Sequence, residues 1–537
     1  MLEQGLQQNP DNITFYTEWA GILYAQQKKE EAAALLQKAT DRQPKSAEVA
    51  LAIGDFYSQR NDRDRAGAAY RRGLDIAPKN LVVRQRMVEW HLEGGQIKEA
   101  DAMNRQILKE KPKDLGAGIA NGRILMAQGN LEEAIAGLRR QVSDAPDSWQ
   151  ARYFLALAYR QGQKLSQAKS ELQEAVKLVP EMVLVRHALT ELYLQTGDLN
   201  PARETAERTV QLNPANAAER LLLGTVYLRM GRNSNAREQF LAARQLGPAD
   251  PRIHLDLGLS YAGERKWNEA EQEFETALKL DPRFTPALAA LGDSWIARSQ
   301  RGKAIARVTQ YLATSPDDAE AHIILGTLHA GAKQRDLAKA AFQRAVQLNP
   351  KIAQGYLQLG QAYQDLGETD SAIAQFAKAL PLEPRSAVLH AMLGNLYLSK
   401  NNIDMARKRY EQALAIDPNF AAAVNNLAWL YAQHGGNLDV ALSLAQKGKE
   451  LFPDSPSTTD TLAWIQCKKG LYAAAIPLMQ ECVQKVPSSP TYHYHLGMAL
   501  LAIGEKQIAK QHLQTALRLK LNQEDSRQVG EALAKLN

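Results

Sequence analysis

Two histidines two residues apart in PTYHYHLG, His493 and His495, are the closest this chain comes to a ligand motif, and spacing of two puts them on different faces of a helix. His254, His322 and His390 recur every 68 residues. That is too wide for one metal if each interval holds two structural units with helices roughly 8–10 Å apart. Cys467 and Cys482 are the only cysteines, too few for a disulfide framework, and are expected to be two buried thiols. The chain carries no GxxxxGK[ST], no GxGxxG after a strand, no HExxH, no CxxC and no GxSxG. The expectation is therefore no catalytic centre, no cofactor and no metal.

Two rows of side chains offer binding chemistry instead. Arg152, Arg186 and Arg220 stand 34 residues apart, and three guanidinium groups in line would suit an acidic peptide or anionic polymer. The competing expectation is that they pair with neighbouring glutamates such as Glu191 and Glu219. The second row runs Gly21, Asp55, Glu89, Arg123, Leu157, Glu191, Thr225, Leu259, Asp293, Thr327, Gln361, Asn395 and then turns large and apolar at Trp429, Trp464 and Met498, with Tyr494 and Cys467 in adjacent slots. Exposed together, such groups mark an interaction site, and Trp is common among binding hot spots. Packed on the next unit, they would be core.

The element that positions these rows is a repeat. Prolines fall at 10, 44, 78 and every 34 residues to 418, then at 453 and 487. A period of 34 along the whole chain means a solenoid. Each unit predicts two helices. Pro-Asp pairs such as Pro146-Asp147 and Pro316-Asp317 end one helix and cap the next. Apolar residues at helical spacing follow, as in YLQLGQAYQDL (356–366), then a turn that carries Gly in one slot in eight of fifteen units, from Gly95 to Gly504. Glycine enters the left-handed conformation of a helix end without steric penalty. One first-helix slot is Leu from Leu155 to Leu496, and one second-helix slot is Ala in all fifteen units, from Ala32 to Ala509. An unbroken Ala column implies two backbones too close for a larger side chain. The third unit departs, with Val88 at the slot where others have a small residue. Near the end, the Gly435-Gly436 insertion lengthens a turn and Pro477 deletes a hydrogen bond inside a helix, which should bend it.

In LGQAYQDLGETDSAIAQFAKALPLEP (359–384) the Leu-Gly, Tyr, Ala, Phe, later Ala and closing Pro fall in a pattern that resembles the tetratricopeptide repeat (TPR) family, and the resemblance covers about 95% of the chain. It implies an all-α, right-handed superhelical α-solenoid whose first helices line a concave groove, and hence a protein-protein interaction scaffold that binds peptides or protein partners. Of the family's carboxylate-clamp positions, Asn395 and Asn426 match the asparagines, but Ala391, Ser457 and Thr461 stand where basic residues are needed. The clamp is not supported. The asparagine ladder of sugar-transferase arrays is missing too: that row reads Phe154, Ala188, Leu222, Asp256, with Asn only at 426. The closing stretch, from NNLAWLYAQHGGN to YHYHLGMALLAIGE, resembles bacterial TPR lipoproteins of exopolysaccharide and exosortase (PEP-CTERM) systems. That resemblance implies partners in an exopolysaccharide or secretion system, or a substrate-positioning role beside a polysaccharide synthase or glycosyltransferase.

Candidate partner-binding residues are thus Trp429, Trp464, Met498, Tyr494, Asn395 and Asn426, with Arg152, Arg186 and Arg220 for an anion. The expected organisation is a remnant of a preceding second helix at 1–12, fifteen units over 13–522 and a capping helix at 523–537. MLEQGLQQNPDN matches AYRRGLDIAPKN (69–80), so the chain starts inside a repeat and residues 1–10 should fray. In DSRQVGEALAKLN, Val529, Leu533 and Leu536 share one face, as a cap requires. Aromatics at 7% point to a core of Ala and Leu, and a net charge of +6 spread over 537 residues argues for no specific nucleic acid. No apolar run is long enough for a membrane span. The chain is expected to be soluble, cytoplasmic as it stands, and periplasmic or lipid-anchored if an export signal lies upstream.

Overall fold

The computed structural model describes Leu6 and residues 8–536. Among these residues there are thirty-one α-helices, from α1 (Ile13–Ala25) to α31 (Gln523–Ala534), and no strand. Successive helices pack as hairpins in two compact units, Met1–Ala287 and Leu288–Asn537. Each unit is a stack of such hairpins, an α-solenoid. Most of the stretch expected to fray, residues 1–5 and 7, lies outside the described residues; Leu6 packs on the cluster that holds Tyr16 and Leu36.

Most first helices start at a side-chain cap, one residue later than the Pro-Asp pattern suggests. Ser148 Oγ accepts from Ala151 N at 3.2 Å and Asp318 Oδ1 from Ala321 N at 3.0 Å. Neither Asp147 nor Asp317 caps, because a full turn follows the proline before the chain re-enters a helix. The turn inside each hairpin is more uniform than its sequence. All eight glycines of the turn slot have positive φ, 68–88°, but so do Gln27, Asn61, Gln163, Arg265, Ser299, Lys333 and Asn401 in the same slot. The hairpin geometry dictates a left-handed residue whatever its type, and the surrounding packing absorbs the cost to a side chain there.

The alanine column is buried throughout, at most 1% exposed, and forms the seam of every hairpin. Beside it lies a reciprocal fit. A second-helix aromatic fills the notch left by a first-helix glycine: Tyr70 over Gly54, Phe240 over Gly224, Phe274 over Gly258, Phe342 over Gly326, Phe376 over Gly360, Tyr410 over Gly394. A methyl on any of these glycines would overlap the ring. Where the first helix carries something larger, the plug shrinks: Ala20 faces the Leu36 slot, Thr190 the Ala206 slot, Val88 the Asn104 slot. In these three hairpins the larger notch residue and the smaller plug offset each other, which accounts for Val88 in the third repeat. In others a leucine fills the glycine notch, as Leu138 over Gly122.

At the C-terminal end, α31 buries Val529 and Ala532 in the cluster that contains Leu496 and Leu513, with Leu533 packed against it. The helix Tyr472–Lys485 runs through Pro477.

Candidate functional site

In the second unit, α23 (Ala387–Ser399), α25 (Ala421–Gln433), α27 (Pro456–Lys468) and α29 (Pro490–Ala502) are the first helices of four successive repeats. They flank a cleft of about 430 Å³, whose lining includes Asn426, Trp429, Thr461, Asp460, Tyr492 and His495. The regular rise of the repeat brings these residues together from four helices.

Asn426 Nδ2 donates to Asn395 Oδ1 at 2.9 Å, and Tyr410 OH donates to the same oxygen at 2.7 Å. This fixes the amide of Asn426 and leaves its carbonyl oxygen without a partner among the described residues. Trp429 is half-buried and lies edge-on to His434, centroids 5.9 Å apart. Deeper in, Asp460 holds His495 Nδ1 with both carboxylate oxygens, at 3.0 and 2.9 Å. Both residues are nearly buried, so the carboxylate fixes the proton on Nδ1, and Nε2 has no partner among the described residues.

Trp464 and Tyr494 are not groove residues. Trp464 is only 8% exposed: its indole stacks on His495 with centroids 4.0 Å apart and planes 15° from parallel, and packs on Tyr494 at 5.7 Å. Tyr494 is 2% exposed and donates to Gln528 Oε1 on α31 at 2.8 Å. The row turns inward here because the next repeat offers flat partners, so the large side chains become core that holds the Asp460–His495 pair. Met498 is half-buried against the same cluster. Of the partner-binding candidates, Asn426 and Trp429 line the cleft, and Asn395 supports it from outside. Asp460, His495 and Tyr492 were missed. Asp460 and His495 stand 35 residues apart, one 34-residue repeat plus one position, and that offset was the available signal.

The arginine row is engaged by the backbone rather than by Glu191 and Glu219. Arg152, Arg186 and Arg220 donate Nε to the carbonyls of Pro146, Pro180 and Pro214, at 3.0, 2.6 and 2.8 Å. Arg152 also pairs with Glu171 at 2.8 Å, and Arg220 bonds Gln239 at 3.2 Å. Burial lowers the pKa of Arg186, which has no acidic partner among the described residues. Glu191 and Glu219 are taken elsewhere, in a chain of ion pairs that links first helices of the first unit. Asp55 accepts from Arg86 at 2.9 Å, Glu89 pairs with Arg123, Glu191 accepts from Arg160 at 2.8 Å, and His187 lies 3.0 Å from Glu219. Glu191 and Glu219 together push His187 up to about 9, while His187 and Arg160 hold Glu191 down at about 2.

Both cysteines are free. Cys482 is buried and Cys467 half-buried, and burial pushes their thiols up to about 12 and about 11, away from nucleophilic use. Among the described residues no group of three or more His, Cys, Asp or Glu is placed to hold a metal ion, and no helix is long and apolar enough to cross a membrane.

Stacked helix hairpins with clefts on their first-helix side define a helical-repeat protein. Family models described as tetratricopeptide repeat match residues 1–55, 47–80, 119–183, 187–251, 251–284, 289–351, 353–386 and 490–523, and one described as TPR repeat matches 394–435. These segments span most of the sequence, and the chain belongs to the tetratricopeptide-repeat family. No curated protein matches it. Similar solved structures include the APC/C hetero-tetramer Cut9–Hcn1, at 14% identity over 84% of this chain and 96% of that one, TM-score 0.38. Naa15/Naa10 bound to HypK-THB is similar at 15% identity over 100% and 92%, TM-score 0.33. YrrB, a TPR protein with an unusual peptide-binding site, is similar at 20% identity over 35% and 96%, TM-score 0.32.

Proposed function

We propose that this chain is a non-enzymatic scaffold that binds a protein or peptide partner, and that the Trp429 cleft is where it does so. The observation that carries this reading is the cleft's make-up. A half-buried indole, the unpaired carbonyl of Asn426 and the unpaired Nε2 of His495 converge within about 430 Å³ on helices held rigid by their own packing. One apolar surface beside a few fixed neutral donors and acceptors suits an extended peptide, which offers a side chain to the Trp and main-chain amides to the rest. The Asp460 carboxylate is already engaged by His495 Nδ1, and among the described residues the cleft lining holds no other acidic side chain and no Lys or Arg, so the cleft suits an uncharged segment.

The test is a pair of substitutions read on two axes. Trp429→Ala is expected to weaken partner capture by about 30-fold, a hot-spot loss, with the melting temperature unchanged. Trp464→Ala is expected to lower the melting temperature first, since that ring is core. Unchanged capture in Trp429→Ala would end the assignment of the cleft.

The likeness of the closing repeats to exopolysaccharide-associated lipoproteins supports a component of such a system as the partner. It also supports a substrate-positioning role beside a synthase or glycosyltransferase. Capture of an oligosaccharide probe in place of a peptide, lost in Trp429→Ala, would favour that second role. Anion binding at the arginine row has less support, because every Nε in it is already donated to the backbone.

A further inference from the structure

The first unit contains a cleft that the sequence rows do not single out, although Glu89 and Arg123 of the second row line it. It arises where three substitutions of the repeat pattern coincide. In the third repeat the core plug is Asn104, where the second repeat has Tyr70 and the fourth and fifth have Leu138 and Leu172. In the fourth repeat the groove side of the helix Leu115–Ala127 carries Gly116 and Ala120, while the flanking repeats present Arg86 and Phe154 in the Ala120 slot. The result is an indentation of about 350 Å³ lined by Val88, Asn104, Ala117, Ala120, Arg123 and Phe154, among others.

Its chemistry is specific. Asn104 is 1% exposed and donates Nδ2 to Ala117 O at 3.0 Å, yet its Oδ1 is buried with no donor among the described residues. Buried amide oxygens are normally satisfied, and an orphan needs a reason. The walls are mixed, apolar at Val88, Leu115, Ile119 and Phe154 and polar at Gln85, Ser148 and Gln150. Phe154 offers an aromatic face with the Arg123 guanidinium 4.6 Å from its centroid. The nearby charges are spent: Arg123 pairs with Glu89, and Arg86 with Asp55. A charged ligand group would find no free counter-charge, whereas a flat apolar group with one donor at its edge would find a wall and an acceptor.

We propose that this cleft takes an aromatic side chain bearing an edge hydrogen-bond donor, the indole of Trp or the phenol of Tyr, presented by a peptide, with Asn104 Oδ1 as its acceptor. The residues are distinct from those of the Trp429 cleft, so either assignment can fail alone.

The experiment measures binding of N-acetyl-tryptophanamide, N-acetyl-tyrosinamide and N-acetyl-phenylalaninamide to the full chain by saturation-transfer NMR. All measurements use the Trp429→Ala background, to silence the other cleft. A 1-methylindole analogue of the first probe removes its donor. The expected result is that one of the two donor-bearing probes binds about tenfold tighter than its donor-free counterpart, and which one names the side chain. Asn104→Leu, which installs the plug of the two following repeats, should keep or raise the melting temperature and abolish that preference. Phe154→Ala should weaken every probe, and it serves as the second variant if Asn104→Leu fails to fold. Equal binding of donor-bearing and donor-free probes, no binding of any probe, or an undiminished preference in Asn104→Leu would each overturn the proposal.

Discussion

The first-helix faces of the two units are built on one backbone plan but joined by different chemistry. In the first unit neighbouring repeats are linked across that face by ion pairs: Asp55–Arg86, Glu89–Arg123, Arg160–Glu191 and His187–Glu219. In the second unit the same positions carry neutral and stacked contacts: Asn395–Asn426, Asp460 cradling His495, Trp464 lying on His495, and Tyr494–Gln528. Most of the ion pairs are partly open to water, where each contributes about 0–1 kcal/mol and weakens with salt. The Asp460–His495 pair is nearly dry, so losing one partner strands the other. One face is adjustable by solvent conditions; the other is fixed by packing.

The largest expected effect tests what the units share. Ala270→Leu in the first and Ala475→Leu in the second should each cost roughly 1–3 kcal/mol, because both alanines are fully buried at the hairpin seam. Unchanged melts would remove the common plan on which the comparison stands. Next, Asp460→Ala should cost about 1–3 kcal/mol, the price of a stranded buried group, whereas Arg86→Ala should cost under about 1 kcal/mol. Equal costs would erase the distinction. Third, hydrogen exchange in 1 M salt should rise across Val183–Thr196 and stay level across Pro490–Ala502.

Smallest are the pH effects, both in the first unit. His187 has its folded pKa raised from 6.5 to about 9, so its stabilisation is complete below about 6.5 and lost as pH rises through about 9. Half-buried Asp256 is pushed by burial from 3.8 up to about 7, so its protonated form is favoured and stability falls as pH rises through about 7. Asp256→Asn should therefore raise the melting temperature at pH 8 and leave it unchanged at pH 3, and His187→Gln should flatten the decline near pH 9.

The features legible in the sequence were those the repeat enforces by residue type. The alanine seam needs Ala in every unit, and the period of 34 fixes where each helix lies. Seven left-handed turn residues were invisible because Gln27, Arg265 and Lys333 carry no mark of a strained conformation; only the fold reveals that geometry outranks preference there. Trp429 and Trp464 occupy the same slot with opposite fates, since burial of the second depends on His495 one repeat away. The arginine row looked like a binding strip because a backbone carbonyl, as a partner, has no letter in a sequence.

The plug-and-notch fit of each hairpin bears on how such an array grows. Phe274 and Gly258 lie on the two arms of one hairpin, as do Asn104 and Val88. A duplication that copies a whole hairpin brings its own fit along. A crossover falling between the arms can instead set a phenylalanine against a valine. Inheritance should therefore favour breakpoints in the linkers near the prolines, and the proline-to-proline segment is the natural module for recombining or redesigning this chain.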